Sequence, residues 1–477
     1  MKLSIPVVVL IVFVKCKTIT STQLNRVSTL HANQSTRTQN PSHMLKNEWT
    51  GDGHLHFTFD LLNGIFMNSL DMKTGNLESI VFSPFSIQSV LMMIHLGAKG
   101  STKSEIAKVL HLDVSENNVT FSKSHETFGQ AVRSLLDDPN VCKSLHSANQ
   151  IFVQENLPIS NTYSLALQHY HMSAIKFVDF AKDSYQVLNV INDWIEKQTS
   201  HMIVNFLNSP PSPMTSMMAI NAIRFKGDWQ YRFDPSDTEK NAWFRMINGH
   251  TAKVEMMVAQ LPVAYAYNSQ LQTSIIELPY KTARLSFFIL LPDDTFGLFT
   301  LLGSLNATVF ANLIFSMRKV NNAQNTGRNA GVNIRIPKFT INSLPRITNI
   351  LRNQLGLKSL FSNEDANLEA MFNRPISTVH MDELLHKAIL RVDEHGSVGA
   401  AVSTSSIERV GTFTGPYFEA DHPFVFLLMD KQTGLALFAG FYSGPSSGPN
   451  ERNLPINKNN GGQVVPPTGN FVHSKDQ

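Results

Sequence analysis

The chain has 477 residues, 42% of them hydrophobic and 16% charged, an ordinary globular composition with ample apolar material for a sizeable core. Its 40 Lys and Arg side chains against 37 Asp and Glu give a formal net charge of +3 without a basic stripe, which argues against a nucleic-acid partner. Charge by itself names no other partner.

At the amino end, Met1-Lys2 and the apolar run Leu3 to Val14 have the basic start and short hydrophobic core of a signal peptide. About a dozen apolar residues are too few to cross a bilayer, so no membrane anchor is expected. Residues 1–16 are therefore read as a secretion signal cleaved after Cys16, and the chain as secreted and extracellular. Cleavage there leaves Cys142 alone, without an internal disulfide, as a small buried hydrophobe. In the secretory route the sequons at Asn33, Asn118 and Asn306 become glycosylation candidates. Residues 17–50, rich in Ser, Thr, Asn and Gln, read as a polar flexible extension, and 446–477, rich in Gly, Pro, Asn and Ser, as a disordered tail. The stretch 51–445 between them has neither tandem repeat nor long linker and reads as one domain.

Apolar residues three or four apart predict helices over Leu55 to Ser69, Ser86 to Leu96, Lys103 to Leu110 and Ser184 to Thr199. Alternating or continuous apolar runs predict strands over Ile275 to Leu278, Leu285 to Leu291, Val332 to Ile336, Lys387 to Val392, Phe424 to Met429 and Leu435 to Phe441. Helices early and strands late indicate an α+β domain with large, mainly antiparallel sheets.

Enzymatic and metal chemistry find little support. Gly444-Pro445-Ser446-Ser447-Gly448 matches a nucleophile elbow, but that turn needs a helix after it and a polar tail follows instead. No metal, redox, phosphate-loop or dinucleotide motif occurs, so no cofactor or metal is expected. The 17 histidines look scattered, and the pairs His54/His56 and His169/His171 read as packing or surface residues. Met214, Met217 and Met218 read as core filler.

One segment does not fit a surface loop. In Glu394 to Ser406 small uncharged residues run without proline, Ser397, Gly399, Ala401 and Ser403 on one face and Val398, Ala400, Val402 and Thr404 on the other. Such a segment can be buried between two strands, since nothing in it demands hydration and no ladder donor is missing. Strand-like runs enter and leave it, and Ile407 to Pro416 beyond it reads as an exposed tip.

From about Leu55 to Pro445 the chain resembles the serpins, through six segments in the family's order: Phe82–Thr102, Ile191–Ile203, Ala219–Trp229, Ile336–Ile341, Leu385–Ser397 and His422–Tyr442. The resemblance implies three β-sheets, eight or nine helices and an exposed reactive-centre loop near the C-terminus. It also implies a monomer that acts as a suicide inhibitor: a serine protease cleaves the loop, and the cleaved loop inserts into the central sheet while still acylated. By the family's spacing Gly396 and Ser397 begin the hinge, Val398 stands where an acidic residue is usual, and Gly399, Ala400, Ala401 and Val402 form the small-residue run. Counting from Gly396 places the reactive bond at Val410–Gly411, suited to an elastase-like pocket; one residue earlier, Arg409–Val410 suits a trypsin-like pocket, and Arg409 is the preferred bait. The resemblance places Ser83, Ser86, Asn221 and His386 in a shutter beneath the sheet and Trp229 at the breach where the loop enters. Over Ser122 to Asp138 only Lys123 and Arg133 are basic, which argues against heparin dependence. A non-inhibitory carrier or precursor of the same fold is the alternative function.

Overall fold

The computed structural model describes residues 51–445, apart from 72, 113–117, 320–330, 375, 377, 378 and 398–414. From the amino end come α1 (Gly51–Ser69), β1 (Ile80–Phe82), α2 (Pro84–Gly97), α3 (Gly100–Val109), α4 (Asn118–Leu136) and α5 (Pro139–Ser144). They lead to β2 (Leu145–Gln154), α6 (Asn161–His171), β3 (Ile175–Val178), α7 (Ser184–Gln198), β4 (Met217–Phe225) and β5 (Gly227–Asp228). A β-rich middle holds β6 (Glu239–Arg245), β7 (Thr251–Leu261), β8 (Ala264–Asn268), β9 (Thr273–Pro279) and β10 (Leu285–Pro292). Two helices, α8 (Leu298–Ser304) and α9 (Ala307–Ser316), precede β11 (Arg318–Lys319), β12 (Val332–Pro337), β13 (Phe339–Ser343) and α10 (Ile347–Asn353). The chain finishes with β14 (Glu383–Val392), β15 (Gly396–Ser397), β16 (Tyr417–Glu419), β17 (Phe424–Asp430) and β18 (Ala436–Tyr442).

These strands build sheets of seven (β1-β18-β17-β10-β9-β8-β11), five (β13-β14-β4-β2-β3) and four (β16-β12-β7-β6), with β15 and β5 as a separate short pair. All the predicted helices and strands are present with ends shifted by a few residues. The continuous apolar runs of β10, β17 and β18 are buried at every position, as the middle of a covered sheet requires. Helix α2 starts from Ser83, whose hydroxyl accepts the Ser86 amide, followed by Pro84 with its helical φ. It is apolar nearly all round and buried along its length except at Leu96, which is partly exposed.

The five-stranded sheet sets up function, because its two faces meet different surroundings. On β4, Met217, Ala219 and Ile223 point into the main core, whereas Met218, Ile220 and Ala222 belong to a second cluster with Val187, Ile191 and Ile195 of α7. Helix α7, begun by the Asp183 carboxylate on the Gln186 amide, thus covers the outer face with one apolar stripe.

Two sequence expectations fail. Met214 is 85% exposed because it precedes β4, and only Met217 and Met218 fill core. Cys142 is half-buried rather than a small buried hydrophobe, since Val141 takes the inward position of the short α5.

The histidines are also less scattered than the sequence indicates. His95 Nδ1 of α2 lies 3.0 Å from His125 Nε2 of α4, and His125 Nδ1 lies 3.1 Å from His171 Nε2 of α6. Each neutral ring has one donor and one acceptor, so the three form one directional chain pinning these helices together. Gly129 permits the approach: a Cβ there would meet the Tyr170 carbonyl at 2.2 Å. Burial holds His95 and His171 down to about 3, helped by the Lys103 and His171 charges on His95 and by Arg133 on His171. Burial likewise lowers His54 to about 4 and His386 to about 3.

A base whose folded pKa lies below its unfolded value near 6.5 binds fewer protons when folded, so stability falls as pH drops below that value. Denaturant unfolding at pH 8, 6.5 and 5 is expected to show stability falling throughout, by about 0.4 kcal/mol per buried histidine at pH 6.5, where half of the unfolded rings are protonated. By pH 5 it should have lost about 2 kcal/mol per buried histidine, reduced in His125→Phe by removal of one member of the chain.

Candidate functional site

Strands β14 and β4 are parallel neighbours, paired from Glu383 opposite Met218 to Ile389 opposite Arg224. Parallel pairs are slightly less stable per residue than antiparallel ones. A strand entering between them from the Val392 end would run antiparallel to both.

On the inner face this seam carries a buried polar chain. The Ser83 amide donates to His386 Nε2 at 2.9 Å. With Nε2 accepting, the neutral ring keeps its proton on Nδ1 and donates it to Asn221 Oδ1, directly opposite across the seam. Asn221 Nδ2 in turn donates to Asn149 Oδ1 on β2. Ser86, whose amide donates to the Ser83 hydroxyl, exchanges a hydroxyl contact with Ser147 of β2 at 3.3 Å. The four residues expected in the shutter therefore come together, joined by Asn149 and Ser147, which sequence reasoning missed. His386 and Asn221 are completely buried, so each bond is made in a low-dielectric interior where its loss is expensive.

At the Val392 end the chain reverses. The Asp393 amide donates to the Gly396 carbonyl at 2.8 Å and the Gly396 amide donates back at 3.2 Å. Gly396 has φ +141°, and a Cβ there would meet the Gly227 carbonyl at 2.0 Å, so only glycine fits. Here Gly396 and Ser397 pair with Asp228 and Gly227. Trp229 holds the turn from below: it is stacked on Tyr280 at 4.5 Å, and its indole N–H donates to the Asp393 carbonyl at 2.9 Å. Its amide donates to the His395 carbonyl at 2.9 Å.

Beside the turn, the buried Glu394 carboxylate accepts from the Thr238 hydroxyl at 3.0 Å and from Lys338 Nζ at 3.2 Å. Burial pushes the Glu394 carboxyl up, but its own amide, Thr238 and the Lys338 charge outweigh that and hold it below the usual range. Sequence reasoning placed Trp229 but missed the Glu394–Lys338 pair, because Lys338 lies 56 residues earlier, in the link between β12 and β13.

Several expected site residues lie outside the described residues: Val398, Gly399, Ala400, Ala401 and Val402 of the hinge, and Arg409, Val410 and Gly411 of the reactive bond. Asn33 also lies outside them. Asn118 opens α4, and the exposed Asn306 caps α9 by accepting the Val309 amide at 3.0 Å. On α4, Arg133 is engaged by Glu126 at 3.3 Å and by the His169 carbonyl at 3.0 Å.

The family model described as Serpin (serine protease inhibitor) matches residues 53–445. Intracellular coagulation inhibitor 2 of Tachypleus tridentatus is 32% identical over 76% of this chain and 85% of its own. The leukocyte elastase inhibitor of Equus caballus is 29% identical over 83% of this chain and 100% of its own. Human thyroxine-binding globulin, solved with its ligand, superposes with a TM-score of 0.71 at 23% identity, covering 83% of this chain and 98% of its own.

Asn221→Ala leaves the His386 Nδ1–H buried without its acceptor and should destabilise the protein by about 1–3 kcal/mol in denaturant titration. Lys338→Met strips Glu394 of its counter-charge at the turn. It should lower the melting temperature and speed limited proteolysis after Glu394 more than at sites remote from the turn; equal acceleration everywhere would sink the local role assigned to this pair.

Proposed function

Because the chain belongs to the serpin family, we propose that it is a secreted inhibitor of a serine protease that works as a suicide substrate. The observation that carries this reading is the reversal at Asp393–Gly396: the chain turns back on β14, and Gly396 and Ser397 pair antiparallel with Asp228 and Gly227 just past the end of β4. The small, proline-free run Val398 to Val402 then has the composition of a strand able to enter the β14–β4 seam.

In the proposed reaction the protease serine oxygen bonds to the carbonyl carbon of the reactive bond, the peptide C–N bond breaks, and the new amino terminus leaves on the downstream fragment. The acyl group stays on the protease while the freed upstream loop inserts. Some ten residues at a net ~0.5–1.5 kcal/mol per hydrogen bond give on the order of 10 kcal/mol, before packing, to distort the trapped protease. Arg409 is the proposed bait for a trypsin-like pocket; Val410 would suit an elastase-like one. Secretion rests on the signal-like segment Leu3 to Val14 and the monomeric state on the family resemblance, and Asn33, Asn118 and Asn306 are the proposed glycosylation sites. Insertion needs no cofactor.

A second reading, a carrier or precursor whose loop never inserts, is favoured by Val398 and Gly399, which depart from the family's hinge pattern. Glycine in a strand costs roughly 0.5–1 kcal/mol, enough to slow insertion and release the protease.

Incubation with trypsin, and separately with elastase, decides between them. The expected product is an SDS-stable band at the summed mass, with a released peptide that begins at Val410 or Gly411 by mass spectrometry. Clean cleavage without an adduct, and without a gain in thermal stability, would transfer the assignment to the carrier or precursor.

A further inference from the structure

The outer face of the five-stranded sheet carries a group of side chains that loop insertion does not use. Past Ala222, where the apolar cluster under α7 ends on β4, the next residue on that face is Arg224. In register it lies opposite His146 of β2 and Ile389 of β14. Lys387 of β14 pairs with Ala222, so it shares the face and sits one diagonal step from Arg224, within reach of a long side chain. Arg224 Nη2 donates to His146 Nε2 at 3.4 Å. With Nε2 accepting, the neutral imidazole keeps its proton on Nδ1.

The pair then presents two buried N–H groups, Arg224 Nε and His146 Nδ1, with no acceptor among the described residues. Burial lowers Arg224 and Lys387 with no carboxylate to oppose it, and lowers His146 with the Arg224 charge adding to the effect. Arg391, further along the same face, is already matched by Asp393 at 3.2 Å. Half-buried cations are normally paired, and buried donors are normally bonded.

We propose that Arg224, His146 and Lys387 form a binding site for a small oxyanion of the sulfate or phosphate class, bridging β2, β4 and β14 across the seam. Such a ligand supplies what the site lacks: negative charge for two cations, and several acceptor oxygens for the guanidinium fork, the imidazole N–H and the ammonium. A neutral ligand would leave the charges unmatched. Bound there, the anion ties β14 to β4 and resists their separation; this consequence rests on the trap mechanism, whereas the binding itself does not.

The test is calorimetric titration of the full chain with sodium sulfate, and in a second arm with inorganic phosphate, against sodium chloride at matched ionic strength. Saturable binding of one oxyanion is expected, about tenfold weaker in Arg224→Gln and in Lys387→Gln, the scale of one charge-assisted hydrogen bond. Circular dichroism checks that each variant folds; should Arg224→Gln not fold, Lys387→Gln and His146→Gln carry the comparison. Absence of saturable binding, or equal affinity in wild type and every folded variant, would overturn the site. Anion dependence of the general, surface-excluded kind would be the same in all of them. Repeating the trypsin incubation with saturating sulfate keeps the two readings apart: a slower adduct supports both, whereas binding without any adduct leaves the site standing and removes the trap.

Discussion

The parallel pairing of β14 with β4 is the constraint on which the rest of this molecule depends. Two parallel strands lie side by side, and the chain leaving β14 turns back at Asp393–Gly396 in the direction that would make it antiparallel to both. One weaker ladder would be exchanged for two stronger ones, so the sheet is one strand short of its best hydrogen-bonding state. The seven-stranded sheet offers no such opportunity, since all of its strand pairs are already antiparallel.

A sheet of this kind persists through what must be broken before anything new is gained. Opening the seam separates His386 from Asn221 and leaves a completely buried imidazole and amide exposed to a gap. Each such group costs about 1–3 kcal/mol while unsatisfied, and the backbone ladder adds its own bonds. The chain Ser83–His386–Asn221–Asn149 couples α2, β14, β4 and β2, so the loss is cooperative. Trp229 and the Glu394–Lys338 pair add a second restraint at the end where a strand would enter. Neutral partners suit the interior chain because breaking it exposes no charge, while the ionic pair sits where water reaches Lys338.

Much of this was legible from the residues. Ser83 followed by Pro84 and an apolar run specifies the start of α2, and the unbroken apolar runs of β10, β17 and β18 can only be interior strands. Ser83, Ser86, Asn221, His386 and Trp229 were identified through family resemblance, and the geometry brings the first four to one hydrogen-bonded group. Their further partners were hidden, because Asn149, Ser147 and Lys338 become neighbours only when distant strands pair. The His95–His125–His171 chain escaped for the same reason, three helices each contributing one ring with no local spacing to announce it. Helix α4 was missed because its buried Phe128, Ala131, Val132 and Leu135, although helically spaced, are diluted by Ser, His and Lys.

The two faces of the seam are chemically unlike, and this bears on how it opens. Inside, β14 and β4 are joined by a hydrogen bond between neutral groups, whose strength is insensitive to salt. Outside, Lys387 of β14 and Arg224 of β4 are two cations one diagonal step apart, each with its pKa lowered by burial. With the proposed anion between them the two cations would draw the strands together. The inner face therefore sets a fixed resistance to opening, while the proposed anion site on the outer face would add a contribution that depends on what is dissolved around the protein. A strand entering the seam would widen the spacing between Lys387 and Arg224 and separate the two halves of the proposed anion site, so insertion and anion binding would oppose each other through one geometric change.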